Sequence, residues 1–216
     1  MALCIVSYGF SVEPIYDFIR VRGVWEDDQF LFITVEDDAG GNEVVRRRRE
    51  RAREMIEVVM RSCYNGGVVN SYSFEEVDDS DILTAIKMIS DLVSRNAGED
   101  TNIVVGAVSG TKTLIASLIL YSHLDPRVSK LYAYNDKEVR VVDVPIITRM
   151  IPNFKANVRR IRDDLRDLDK GRDIDKRKLR VILRQGLAIK PKGRGSKAEI
   201  DDKGRVFLDI LDNLPL

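Results

Sequence analysis

The chain has 216 residues, 44% of them hydrophobic, and a net charge of zero, which fits one large domain or an ordinary domain with a small second one. No apolar run approaches the ~20 residues of a membrane span and Met1–Phe10 lacks the basic flank of a signal peptide, so a cytoplasmic protein without membrane contact is expected. The sequence contains one histidine, His123, which excludes multi-histidine metal sites and His-based triads. Its two cysteines, Cys4 and Cys63, lack metal-ligand spacing, so no metal or cofactor is expected.

Strand and helix patterns alternate over residues 1–150. The predicted strands are Leu3–Val6, Phe30–Val35, Val68–Phe74, Ile103–Val108 and Leu131–Tyr134. The predicted helices are Glu13–Arg20, one from a cap at Asn42 to about Met60, one beginning at Asp79 or Ser80, and one ending near His123. A turn at Asn135–Glu138 then leads into an antiparallel strand, Val139–Val144.

This alternation predicts an α/β fold, a mostly parallel sheet with helices on both faces. Right-handed crossovers give the strand order 3-2-1-4-5, with the hairpin as an antiparallel edge. Strands one and four are then neighbours at the switch point, where open α/β sheets bind ligands. The turns that follow these two strands are Ser7-Tyr8-Gly9-Phe10 and Ser109-Gly110-Thr111-Lys112. We therefore expect a ligand site at these turns.

The second turn has the composition of an anion site, because its backbone N–H groups open a helix beside a lysine and several hydroxyls. The alternative is an ordinary corner of an α/β unit that binds nothing. A P-loop is rejected, since Gly106 and Gly110 are one residue too close and Val141-Val142-Asp143 is a weak acidic motif. The dinucleotide fingerprint is missing after strand one, which disfavours NAD.

An arginine run, Arg46–Arg53, lies in the second predicted helix. It could bind nucleic acid, but Glu43, Glu50, Glu54 and Glu57 stand three or four residues from its arginines. We interpret it as a solvated, ion-paired helix face.

Residues 151–216 differ from the rest in charge. Residues 1–150 carry 17 Lys and Arg against 24 Asp and Glu, a net charge of −7, whereas residues 151–216 carry 18 against 11, a net charge of +7. With Pro152 at the boundary, the pattern predicts a helix from Phe154 to about Asp169, a second helix ending at Gly186, two short strands around a basic loop, and a last helix. This order is that of a winged helix-turn-helix.

Basic residues of this second domain are the predicted contacts to double-stranded DNA. Those on the exposed side of the second helix are Lys176, Arg177, Arg180 and Arg184. Those on the wing are Lys190, Lys192, Arg194 and Lys197. The alternative is a small oligomerisation domain with a solvated basic surface.

A family resemblance rests on the two turns and their order. It also rests on two tail sequences, Gly186-Leu187-Ala188-Ile189 and Asp202-Lys203-Gly204-Arg205. The chain resembles the archaeal CRISPR-associated transcription regulators of antiviral defence that join an N-terminal CARF (CRISPR-associated Rossmann fold) domain to a C-terminal winged helix. The resemblance implies a Rossmann-like CARF domain at 1–150, a winged helix at 151–216, and a homodimer that binds a cyclic oligoadenylate, typically cyclic tetraadenylate. The implied ligand-binding residues are Ser7, Tyr8, Gly9, Phe10, Ser109, Gly110, Thr111 and Lys112.

Two other functions stay open. The chain could be a slow ring nuclease that cleaves its cyclic oligoadenylate, with Ser7, Ser109 and Lys112 aligning the ribose hydroxyl or stabilising the phosphate. It could also be a ligand-binding assembly module without DNA contact. A HEPN ribonuclease, found in other CARF proteins, is excluded because it needs a histidine that residues 151–216 do not contain.

Overall fold

The computed structural model describes residues 2–25, 27–36, 43–63, 71–135, 137–142, 154–190 and 197–214. Its strands are β1 (Ala2–Ser7), β2 (Gln29–Val35), β3 (Tyr72–Val77), β4 (Asn102–Ala107), β5 (Val128–Tyr134), β6 (Val139–Val142), β7 (Ala188–Ile189) and β8 (Glu199–Ile200). Its helices are α1 (Glu13–Arg22), α2 (Glu43–Cys63), α3 (Ile82–Asn96), α4 (Lys112–Leu124), α5 (Phe154–Asp169), α6 (Lys176–Arg184) and α7 (Asp202–Asp212). We call the part from β1 to β6 the body and the part from α5 to α7 the tail.

The body is a mixed α/β unit around a mostly parallel six-stranded sheet. The strand order is β3-β2-β1-β4-β5-β6, and only the last pair is antiparallel. This order confirms the one predicted from alternation and crossover handedness. The third strand covers Tyr72–Val77, later than predicted, because it lies at the sheet edge and its polar Glu75 and Glu76 hide the strand pattern. Residues 68–70 of that prediction lie outside the described residues.

Each central strand is buried on both faces of the sheet. In β1, Leu3 and Ile5 belong to the core that α3 and α4 cover, whereas Cys4 and Val6 point into the core that α1 and α2 cover. Side chains of a strand alternate between faces, so a strand with helices on both sides reads as one continuous apolar run. This explains why the central strands of the body could be predicted from the sequence.

The start of α3 differs from the prediction. Asp81 is its N-cap, not Asp79 or Ser80, and the Asp81 carboxylate accepts the backbone N–H groups of Leu83 at 2.8 Å and Thr84 at 3.1 Å. Asp79 is thereby left for a different contact, described below.

The tail has a small core of its own. It is formed by Leu165, Leu168, Ile182, Ala188, Ile200 and Leu208. Asp175 caps α6 and accepts the N–H of Arg177 at 2.8 Å. Gly204 lets α7 lie directly on the residue before β7, since a Cβ at this position would stand 2.0 Å from the carbonyl oxygen of Leu187.

The opposite side of α7 packs on the body. Ile210 and Leu211 of α7, and Leu214 just after it, are buried in the same core as residues of α3 and α4. At the rim of this contact, Asn213 Nδ2 donates to Asp91 Oδ1 at 2.7 Å, and the Lys87 ammonium lies 3.6 Å from Asp209. The proposed division at residue 150 stays a prediction, and the last helix is shared by two cores.

Within the described ranges, no helix combines the length and the apolar character that a membrane crossing requires.

Candidate functional site

The turns that follow β1 and β4 touch each other at the carboxyl edge of the sheet. β1 and β4 are adjacent and parallel, with Val6 opposite Gly106. Gly9 approaches the second turn so closely that a Cβ there would lie 3.1 Å from Gly110 Cα. The structure therefore brings together the two segments that the strand order predicted to be neighbours.

Ser7 connects the two turns through hydrogen bonds of its buried hydroxyl. Its side chain is fully buried, and its hydroxyl accepts the N–H groups of Val108 at 3.2 Å and Ser109 at 3.3 Å. The same hydroxyl donates to the carbonyl of Gly106 at 3.3 Å. These bonds give Ser7 a positioning role, because they use both its donor and its acceptors on the backbone at the end of β4 and just after it. Direct contact between Ser7 and a ligand stays a prediction.

The second turn leads into the N-terminus of α4, whose cap residue Thr111 lines the site described below. Gly110 has a φ of +122°, a conformation that side-chain-bearing residues rarely adopt. Thr111 then caps α4, its hydroxyl accepting the N–H of Leu114 at 3.1 Å and donating to the Asp79 carboxylate. Lys112 is the first residue of α4 and is exposed. A capped helix start of this kind presents N–H groups and a partial positive charge to an anion.

A cavity of about 320 Å³ opens above these turns. Its lining residues are Tyr8, Gly9, Phe10, Ser11, Thr34, Val35, Arg49, Ser109, Gly110 and Thr111. Six of the eight ligand residues that the resemblance implied are among them; Ser7 lies beneath the turns, and Lys112 stands outside the lining. Sequence reasoning missed Ser11, Thr34, Val35 and Arg49. The strand order contained a signal for Thr34 and Val35, because β2 ends at the same edge beside β1.

Aromatic rings form one wall of this site. The Tyr8 ring is buried and meets the Phe74 ring edge-on at a centroid distance of 5.7 Å. Burial raises the pKa of Tyr8 to about 12, against the opposing charges of Arg53 and Arg49. The phenol is therefore neutral at physiological pH and can donate a hydrogen bond. Phe10, in contrast, is half exposed at the rim, where a base could stack on it.

The arginine run of α2 is only in part the solvated face that the sequence suggested. Arg46 and Arg47 are exposed and lie 3.7 Å and 2.6 Å from Glu50 and Glu43 of the same helix. The interpretation is wrong for Arg49, which is half-buried, lines the cavity and donates from its Nη1 to the carbonyl of Val35 at 2.7 Å. A helix has two sides, and a run of identical residues does not reveal which member turns inward.

A second candidate surface lies on α6. Its four predicted DNA-contacting residues, Lys176, Arg177, Arg180 and Arg184, are all exposed, while Ile182 of the same helix is buried. On the predicted wing, Lys190 is exposed, as is Lys197, whose ammonium lies 3.5 Å from Asp173. Lys192 and Arg194 lie outside the described residues.

The chain matches no protein-family model and no curated protein. Among solved structures it is similar to Can2 from Sulfobacillus thermosulfidooxidans in complex with cyclic tetra-adenylate, with 10% sequence identity and a TM-score of 0.39. The similarity covers 96% of this chain and 61% of the Can2 chain, so the chain spans about three fifths of the length of that protein.

Proposed function

We propose that this chain is a CARF-type regulator, of the archaeal winged-helix class, that binds a cyclic oligoadenylate at the β1 and β4 turns and duplex DNA with its tail. The observation that carries the proposal is that the two turns on which the family resemblance rests touch each other and line one cavity. A chance match of two short motifs would not require them to share a site.

The chemistry of the cavity suits a nucleotide. Its floor offers the hydroxyl of Ser109 and the backbone of Gly110 and Thr111, which leads into the N-terminal end of α4; hydroxyls and N–H groups at a helix start are groups that bind phosphate oxygens. Its rim and wall offer Phe10 and Tyr8, which supply ring faces and a neutral phenol for bases. Cyclic tetraadenylate is the ring that the family resemblance favours.

The size of the cavity supports a homodimer. About 320 Å³ is at the low end of the range for pockets that hold drug-sized ligands, and a cyclic oligonucleotide is larger than such ligands. Two copies related by a two-fold axis would place two cavities around one two-fold symmetric ligand. The exposed Lys112 would then contact the part of the ligand that extends beyond one cavity.

The exposed cations of α6 support DNA binding. They project from a short helix that is fixed by its buried side to the tail core, which is the arrangement of a recognition helix in the major groove. Since α7 is buried in both cores, a change at the body dimer interface would be transmitted to the spacing of two α6 helices.

The ring-nuclease alternative has less support. The Ser7 hydroxyl is fully buried and bonded to backbone, and Lys112 is exposed at the start of α4, so two of the three residues that the alternative used do not line the cavity.

The test is calorimetry of the full chain with cyclic tetraadenylate and, as a control, linear tetraadenylate. Sedimentation of the same samples follows the oligomeric state, and chromatography of the mixture detects cleavage. We expect tight binding of the ring, weak binding of the linear form, a dimer at micromolar concentration and an intact ring. Absence of binding to the ring would refute the ligand assignment, and product formation would favour the nuclease.

A further inference from the structure

We propose that Arg49 of α2 supplies the cation that binds the phosphates of the ligand; this inference rests on the proposed function. Sequence reasoning gave that role to Lys112. Arg49 lines the cavity together with Tyr8 and Ser109, whereas Lys112 does not line it.

The packing of α2 decides which arginine turns inward. Ala52, Ile56 and Met60 form the buried stripe of this helix. Arg49 stands three residues before Ala52 and seven before Ile56, so it continues the same stripe by one turn toward the site.

The side chain of Arg49 is held in place before a ligand arrives. Its Nη1 donates to the carbonyl of Val35, the last residue of β2, at 2.7 Å, and Val35 itself lines the cavity. A guanidinium that is already oriented loses less conformational freedom when it binds an anion than a free side chain does.

The position of Arg49 complements that of the second turn. The backbone that leads into α4 and the hydroxyl of Ser109 border the cavity on the β4 side, and Arg49 borders it on the β2 side. A phosphate between them would receive backbone and hydroxyl donors from one side and a planar, fork-shaped cation from the other.

The experiment measures cyclic tetraadenylate binding by calorimetry for the wild type and for four variants of the full chain. Arg49→Gln removes the charge but keeps an N–H donor for the Val35 carbonyl, and Arg49→Lys keeps the charge. Arg51→Ala is the matched control, because Arg51 is an exposed arginine of the same helix that does not line the cavity. Lys112→Ala compares the two candidate cations, and thermal melting of every variant checks folding.

We expect Arg49→Gln to weaken binding about ten- to hundred-fold, the range for a charge-assisted hydrogen bond, and to reduce the salt dependence of the dissociation constant. Arg49→Lys should recover part of the affinity, Arg51→Ala should bind like the wild type, and Lys112→Ala should have a smaller effect than Arg49→Gln. If Arg49 only supported Val35, Arg49→Gln would bind normally and Arg49→Lys would be no better.

The inference can fail in two distinguishable ways. A wild type that binds the ring with Arg49→Gln unchanged would leave the proposed function standing and remove Arg49 from it. A wild type that fails to bind would overturn the proposed function and this inference together.

Discussion

Two basic helices dominate the charge distribution of the chain, α2 in the body and α6 in the tail. α2 carries seven arginines and four glutamates in 21 residues, and several of its arginines pair with glutamates one turn away. α6 carries five basic residues and no acidic residue in nine. Lys178 pairs with Asp164 of α5 at 2.7 Å, and the four exposed cations of α6 have no carboxylate within 4 Å among the described residues.

The difference shows that arginine content is a poor guide to nucleic-acid binding. Exposed pairs at i, i+4 stabilise a helix by a few tenths of a kcal/mol and cancel much of its field. Cations without carboxylate neighbours leave that field intact for phosphates. We expect DNA affinity on α6 and not on α2, although α2 has the longer arginine run.

The largest expected effect comes from removing the four exposed cations of each helix in turn. The α6 variant is Lys176→Ala, Arg177→Ala, Arg180→Ala and Arg184→Ala. The α2 variant, its control with the same change in charge, is Arg46→Ala, Arg47→Ala, Arg48→Ala and Arg51→Ala, all exposed positions. The α6 variant should bind duplex DNA much more weakly, and its salt slope should fall by up to about four units, one for each cation that contacts phosphate. A salt titration by fluorescence anisotropy measures both.

Equal losses of DNA binding in the two variants would mean that only the net charge of the chain determines its affinity for DNA. A loss confined to the α2 variant would reverse the comparison.

Deleting the tail is a poor way to make the same test. α7 buries Leu211 in the body core, so a truncated chain would expose apolar surface of the body and confuse unfolding with loss of DNA contacts. Substitutions on the outward side of α6 avoid this problem because these side chains are exposed.

The second prediction tests whether the body holds the tail. Leu211→Ala removes a fully buried side chain from the body core and should lower the free energy of unfolding by about 2–5 kcal/mol. Leu208→Ala, three residues earlier on the same helix, removes a side chain from the tail core instead. Hydrogen exchange with mass spectrometry should show lost protection in α3 for Leu211→Ala and mainly in α5 and α6 for Leu208→Ala. Unchanged protection of α3 in the Leu211 variant would mean that the tail is not docked in solution.

The sequence was most informative where one physical rule determines the answer. The strand order followed from alternation and crossover handedness, and it led directly to the adjacent turns at Gly9 and Gly110. The site was less predictable where the answer depends on which way a side chain turns. Arg49 was missed although its spacing from Ala52 and Ile56 puts it on the buried stripe of α2, because a stripe of apolar residues does not show that an arginine continues it. The shared role of α7 was also missed. This helix has apolar residues on two sides, and only the tertiary contacts show that the two sides pack in different cores.

The third prediction concerns the close packing of α7 against Leu187, which follows α6. Gly204→Ala would place a Cβ about 2.0 Å from the Leu187 carbonyl oxygen, a backbone atom that cannot move without shifting β7. We expect a loss of about 1–3 kcal/mol in the free energy of unfolding, the usual cost of an overpacked contact, together with weaker DNA binding and unchanged ligand binding. Gly98→Ala is the control, because the nearest atom to a Cβ there is 3.8 Å away. Urea denaturation compares the two, and equal stability would show that the close approach of α7 to Leu187 is absent in solution.

The last prediction has the smallest effect and asks whether the charge of an exposed arginine of α2, Arg53, acts on Tyr8. Burial raises the pKa of Tyr8 to about 12, and the positive charge of Arg53, whose guanidinium carbon lies 4.6 Å from the centroid of the Phe74 ring, acts against this rise. Arg53→Ala removes a charge that stabilises the phenolate, so the pKa of Tyr8 should rise further.

The effect on stability has a definite sign. A tyrosine with a raised folded pKa stabilises the fold fully below pH 10, and this contribution is lost as pH rises from 10 toward 12. In Arg53→Ala the loss should extend to higher pH, because the folded pKa is higher. NMR titration of ¹³C-labelled tyrosine follows Tyr8 directly, with Arg51→Ala as the control, because Arg51 is not among the charges that shift the pKa of Tyr8. A Tyr8 pKa that does not rise in Arg53→Ala would mean that the charge of Arg53 does not act on the phenol, and an equal rise in both variants would mean that only the net charge of α2 matters for the pKa of Tyr8.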